Sequence, residues 1–236
     1  MAGTGSAVST EDFRSYLHAL ERRLAQPLPG LDAQRRMAPE GRIPADYSPT
    51  PPEARYGAVL LLLYPSPDGV VVPFIRRPAD DTPHGGQIAF PGGGFDHGDQ
   101  FPDGTAIREA WEEVGLDGSR LRVLGVLTPL YIWVSNYSVF PVVASMEEPP
   151  RFSLNPTEVE SLEIIALEDL HPARSRDTFD ARGHRIVAPC FTVDAVRIWG
   201  ATAMMLNEFM VLHEGLYRSE GPPQHSRQHG RGPDGR

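Results

Sequence analysis

The sequence predicts an α/β fold in which two helical layers flank a mixed sheet. Three observations carry this expectation: an amphipathic helix near the N-terminus, strand-like runs on either side of a second helix, and a third helix after the last run. Residues 10–25 place Phe13, Leu17, Leu20 and Leu24 at helical spacing, with Ser9 or Thr10 as N-cap and a stop at Pro27. A proline-rich linker then runs to Pro52. Residues 58–64 and 70–76 read as strands joined by the hairpin-type turn Pro65-Ser66-Pro67-Asp68-Gly69. A short strand over 87–90 leads through a glycine loop to a helix over 105–114. Strands follow at 121–127, 137–145, 162–167 and 186–191, then a terminal helix over 198–212. After Tyr217 the chain is Gly, Pro, His, Arg and Gln with almost no apolar residue, so residues 218–236 are expected to be a disordered tail.

Length and composition narrow the function classes. The 236 residues fit one domain with terminal extensions. The longest apolar run, residues 58–63, is too short to span a bilayer, and the N-terminus lacks the basic start and apolar stretch of a signal peptide. Cys190 is the single cysteine and sits in the apolar run 186–193, which predicts a buried core residue and excludes a disulfide framework or thiolate metal site. A cytoplasmic protein with no membrane partner is expected. All 22 basic residues are arginine and the net charge is −9, so nucleic-acid binding is disfavoured. Homodimer formation is left open.

The chemistry concentrates in Arg108-Glu109-Ala110-Trp111-Glu112-Glu113-Val114-Gly115-Leu116. Glu109 and Glu113 lie one turn apart and Glu112 shares their face, while Ile107, Ala110, Trp111 and Val114 are expected on the buried side. Like charges at this spacing cost a bare helix roughly 0.2–0.5 kcal/mol per pair, so folding alone does not favour them. A hard divalent cation with oxygen ligands turns the repulsion into coordination. Upstream, Phe90-Pro91-Gly92-Gly93-Gly94 frees the backbone to approach a ligand closely.

This stretch resembles the Nudix box: a glycine, five residues, an acid, seven residues, then Arg-Glu, an apolar residue, any residue, Glu-Glu, any residue, Gly and an apolar residue. The downstream half fits from Arg108 to Leu116. Upstream, strict spacing puts Gln100 at the acid; aligning Gly92-Gly93 puts Asp99 there with one extra loop residue, the preferred register because a loop insertion costs little. Residues 76–93 also resemble the signature of the coenzyme A pyrophosphatase branch, through Arg77, His84, Gly86, Gln87, Ala89, Phe90, Pro91, Gly92 and Gly93. Asp81-Thr82 stand where that branch usually shows Leu-Arg. Asn155-Pro156-Thr157-Glu158-Val159 and Trp199-Gly200-Ala201-Thr202-Ala203 extend the likeness.

The resemblance implies a Nudix-type α/β/α sandwich with a mixed β-sheet, divided into an N-terminal helix and linker (1–52), a Nudix hydrolase domain (53–217) and the tail. It further implies metal-dependent hydrolysis of a nucleoside diphosphate derivative, with Mg²⁺ or Mn²⁺ held by Glu109, Glu112 and Glu113. The Gly93 carbonyl is expected to complete the shell. Arg108 is expected to orient the carboxylates. The base comes from the box, at Glu112, or from a later loop, at Glu158 with Glu160 as its alternative. Arg76 and Arg77 are natural phosphate contacts, and His84 and Gln87 are further substrate candidates. Coenzyme A or its thioesters lead; ADP-ribose, nucleotide sugars and dinucleoside polyphosphates stay open. A non-catalytic nucleotide sensor on the same fold is the reading from another class, and an intact set of glutamates speaks against it.

Overall fold

The computed structural model describes residues 8–39, 50–79, 85–181 and 184–220. Its centre is strand β1 (Arg55–Ser66), paired in parallel with β7 (Tyr137–Ser145) over the register Arg55↔Tyr137 to Leu63↔Ser145. The other pairings are antiparallel, which makes the sheet mixed. β2 (Gly69–Arg76) returns beside β1 through the two-residue turn Pro67-Asp68, and carries β3 (Ile88–Ala89) and β8 (Ser161–Ala166). β4 (Gly92–Gly94) lies on β1, while β5 (Arg122–Val126) and β6 (Leu130–Ile132) lie on β7. The short helix α4 (Leu167–Leu170) follows β8, and a second sheet, in the order β11-β10-β9, joins Val196–Trp199, His184–Val193 and Arg174–Ala181.

Both faces of β1 are covered, so its sequence is apolar without alternation. Ala58, Leu60, Leu62 and Tyr64 pack beneath α3 (Asp103–Val114), against Ala106, Ala110 and Val114. Leu61 and Leu63 face the other way, into a core built by α1 (Thr10–Leu24) and α5 (Gly200–Glu220). The N-terminal helix follows the sequence expectation: Ser9 caps it by accepting from the Asp12 N–H (3.1 Å), and Phe13, Leu17, Leu20 and Leu24 are buried. Cys190 is buried as expected.

Four sequence expectations need correction. The expected linker contains a short helix, α2 (Gly30–Arg35), whose Ala33 and Gln34 are buried against α5; its six residues between prolines and a glycine carry too little periodicity to be read. The terminal helix begins at Gly200 rather than Ile198. Val196 to Trp199 alternate as a strand on β10, with Trp199 stacked on Phe179 at 4.6 Å. α5 continues to Glu220, into the stretch assigned to the tail, of which residues 221–236 lie outside the described residues. Trp111, placed with the core by its spacing, is 63% exposed. The buried arc of α3 runs through Ala106, Ala110, Glu113 and Val114, and a step of about 100° beyond Ala110 carries Trp111 to solvent.

Candidate active site

The glycine strand and the acidic helix meet at the start of β1. β4 pairs Gly92 with Val59 and Gly93 with Ala58, and a Cβ on Gly92 would overlap the Ala58 carbonyl. On the helix side, a Cβ on Gly93 would stand 2.5 Å from the Glu109 carboxylate. At Gly92 only glycine permits the approach to backbone, while at Gly93 a side chain would displace the Glu109 carboxylate. The helix ends at Gly115, whose left-handed φ of 66° turns the chain away while its N–H reaches the Trp111 carbonyl (2.9 Å).

The three box glutamates are graded from the core outward. Their side-chain exposures are 2% for Glu113, 14% for Glu109 and 39% for Glu112. Glu113 accepts a hydrogen bond from the Gly92 N–H (2.8 Å) and lies 3.6 Å from the Arg77 guanidinium. Burial pushes its carboxyl up to about 7, with Arg77 and the Gly92 N–H opposing and the charges of Glu109 and Glu158 adding to the rise. Burial raises the Glu109 carboxyl too, against the pull of Arg108, and Glu112 and Glu158 raise it further.

Arg108 braces the cluster. It donates to the Gly94 carbonyl (2.8 Å) and to both oxygens of Asp99 (3.1 Å each), and its Nη1 stands 3.0 Å from Glu109 and 2.9 Å from Glu112. The Arg108 contact holds Asp99 down to about 2, with help from the Asp96 N–H and the Thr105 hydroxyl. Asp99, the acid of the preferred register, is thus held by Arg108. Among the described residues no trio of His, Cys, Asp or Glu side chains closes into a cage; Arg108 stands between Glu109 and Glu112.

The strand also decides which carbonyl faces the acids. The N–H of Gly92 goes to Glu113 and its carbonyl accepts from Arg77 (3.3 Å), so the polar groups of Gly92 point to the site. The Gly93 carbonyl lies on the β1 side, 2.5 Å from where a Cβ on Gly57 would stand. The Gly92 carbonyl, rather than the expected Gly93 carbonyl, therefore faces the acids, because neighbouring residues of a strand point their backbone groups in opposite directions.

The flanking candidates separate. Arg77 joins the site, whereas Arg76 is turned to β8, donating to Glu163 at 3.0 and 3.2 Å. Gln87 adjoins through its backbone, its carbonyl accepting from the Arg77 N–H (3.0 Å). His84, with Asp81 and Thr82, lies outside the described residues. Glu158 is exposed on a loop docked to the end of α3 by the Ser153 N–H on the Val114 carbonyl (2.8 Å) and the Asn155 N–H on the Glu113 carbonyl (2.9 Å). Glu160 leaves this loop with its N–H on the Arg76 carbonyl (2.8 Å). Sequence reasoning did not single out Asn155; the signal for it was the Asn-Pro-Thr-Glu order, a turn whose Asn side chain bonds its own backbone.

The family model described as NUDIX domain matches residues 54–186. Over 162 residues the chain is 35% identical to the uncharacterized Nudix hydrolase NudL of Pectobacterium atrosepticum, covering 66% of this chain and 81% of that protein. The namesake from Photorhabdus laumondii is 34% identical over 169 residues, covering 68% and 88%. Among solved structures, RenU, a Nudix hydrolase from M. smegmatis, is similar over 70% of this chain and 87% of its own, at 21% identity and a TM-score of 0.48. The chain belongs to the Nudix family and is an enzyme that hydrolyses pyrophosphate bonds. Among the described residues no helix is long and apolar enough to cross a membrane.

Proposed function

We propose that this Nudix hydrolase cleaves the pyrophosphate of coenzyme A or its thioesters with Mg²⁺ or Mn²⁺, giving 4′-phosphopantetheine, or its acyl form, and adenosine 3′,5′-bisphosphate. The observation that carries the metal requirement is the convergence of Glu109 and the buried Glu113 on the glycine strand, where Glu113 meets the Gly92 N–H (2.8 Å) and the Arg77 guanidinium (3.6 Å). Glu109, Glu112 and Glu113, with the Gly92 carbonyl, are the oxygen donors that would hold a hard cation there. When bound, such an ion neutralises phosphate charge and lowers the pKa of water.

The chain's own residues do the rest. Arg108 fixes the Glu109 and Glu112 carboxylates against Gly94 and Asp99, so they meet a ligand already oriented. Arg77 holds Glu113 with part of its guanidinium and keeps further donors for a phosphate oxygen. Glu158, whose charge reaches both inner glutamates, takes the proton of the attacking water. The water oxygen bonds to one phosphorus, the P–O–P bridge breaks, and the bridging oxygen leaves on the other phosphate.

Support for coenzyme A comes from the Arg77 to Gly93 signature, of which Arg77 and Gly92 meet at Glu113. The test is a panel of coenzyme A, dephospho-coenzyme A, ADP-ribose, NADH and diadenosine polyphosphates with Mg²⁺ or Mn²⁺, products identified by mass. Coenzyme A should be cleaved most efficiently, and dephospho-coenzyme A less so because it lacks the 3′-phosphate. Equal efficiency on those two, or better cleavage of ADP-ribose, would retire the coenzyme A reading and leave pyrophosphate hydrolysis standing. No turnover of any member would favour a nucleotide sensor.

A further inference from the structure

We infer that Asn155 is a positioning residue for Glu158, fixing the carboxylate of the later loop relative to the acidic helix; this rests on the reading of Glu158 as the base. Its hydrogen bonds divide into two sets. The Asn155 Nδ2 donates to Glu158 Oε1 (3.1 Å). The Asn155 Oδ1 accepts from the Thr157 N–H (3.2 Å) and the Thr157 hydroxyl (2.8 Å), closing an Asx turn around Pro156. The backbone extends the same function. The Asn155 N–H is bound to the carbonyl of Glu113 (2.9 Å), and its carbonyl accepts from Glu158 (3.0 Å) and Val159 (2.9 Å), the latter buried.

One residue thus holds the helix that carries Glu113, the turn that sets the path of the loop, and the carboxylate at its tip. Without the Nδ2 donor an exposed glutamate keeps its rotamer freedom, and the reacting arrangement is populated for less of the time. An amide is the side chain that does this: its carbonyl oxygen serves the turn while its NH₂ serves the carboxylate. Aspartate preserves the first set and loses the second.

The experiment compares Asn155→Asp, Asn155→Ser and Glu158→Gln, each alone and with Asn155→Asp added to Glu158→Gln, reading kcat, KM and Tm in the presence of metal. Asn155→Asp should keep Tm within about two degrees and KM within about twofold while kcat falls roughly tenfold to a hundredfold, a portion of what a general base supplies. Asn155→Ser, whose hydroxyl can serve the turn without adding charge, should show the same loss in kcat. In the Glu158→Gln background Asn155→Asp should cost little more, because residues acting as a unit are not additive. If Glu158→Gln is crippled and both Asn155 variants turn over like the parent, this inference fails and the base assignment survives. Equal losses in both backgrounds would also overturn it. A fully active Glu158→Gln would remove the base assignment itself.

Discussion

Glu113 and Glu208 are both buried carboxylates in helices that cover the sheet, and they are provided for in opposite ways. Glu208, on α5, accepts from the Gly30 N–H (3.0 Å) and the Gln34 amide (2.8 Å), both of α2, and from the Thr128 hydroxyl (2.7 Å), a set of neutral donors from two parts of the chain. Glu113, on α3, has one backbone N–H at 2.8 Å and a guanidinium at 3.6 Å, and faces other carboxylates. The first arrangement closes its own hydrogen bonding and ties α2 to α5. The second leaves a carboxylate short of partners beside a strand of glycines, which suits a site that has to receive a cation. A buried acid is thus diagnostic of chemistry only when its partners do not satisfy it.

The largest expected effect separates these two residues directly. Glu113→Gln should lower turnover at least about a hundredfold while Tm holds or rises, since a poorly compensated buried charge is removed. Glu208→Ala should do the reverse: activity per folded molecule stays within about threefold of the parent, while several donors lose their acceptor. A loss of about 3 kcal/mol corresponds to a Tm lower by roughly 6–12 degrees. Activity assays and thermal melts on the same preparations decide between these patterns.

The pH dependence of stability gives an intermediate effect with opposite signs on the two faces. In metal-free buffer the Glu113 carboxyl titrates near 4.5 unfolded and about 7 folded. Between those values the folded chain holds a proton that the unfolded chain has released, so its contribution is fullest below 4.5 and falls as pH rises to 7. On the α1–α5 side His213, 5% exposed and bound to the Tyr16 hydroxyl at 2.9 Å, is pushed by burial down to about 4 from an ordinary 6.5. There the unfolded chain takes up the proton first, so stability present above 6.5 is lost as pH falls towards 4. Each slope amounts to at most about 3 kcal/mol. Urea denaturation from pH 4 to 8 should show that Glu113→Gln loses the first slope and keeps the second; loss of neither would mean that Glu113 is better solvated than its burial indicates.

The smallest effect is at Trp111. With its ring exposed on the outer side of the acidic helix, Trp111→Ser should change stability by no more than about 0.5 kcal/mol. A drop of several degrees in Tm would place the ring in contacts that its exposure excludes.

The sequence made the site legible where chemistry and periodicity coincide. Arg108, Glu109, Glu112 and Glu113 stood out because three acids in five residues serve no helix, and strand β7 because its apolar run is bounded by Asn136 and Glu147. Trp111 was misplaced because spacing alone cannot tell that the buried arc of α3 takes in Glu113 instead. Strand β9, Arg-Ser-Arg-Asp-Thr-Phe-Asp-Ala, escaped because its polar residues lean on β10 rather than on a core. Arg76 and Arg77 looked equivalent as neighbours; only the pairing of β2 with β8 shows that Glu163 takes Arg76 and leaves Arg77 for the site.

The central claim, that the carboxylates around Glu113 receive a divalent cation, is tested most directly by Mn²⁺ binding to the parent, Glu113→Gln and Glu208→Gln, followed by calorimetry. The parent and Glu208→Gln should bind Mn²⁺ alike, and Glu113→Gln at least about tenfold more weakly. Undiminished binding by Glu113→Gln would contradict the claim.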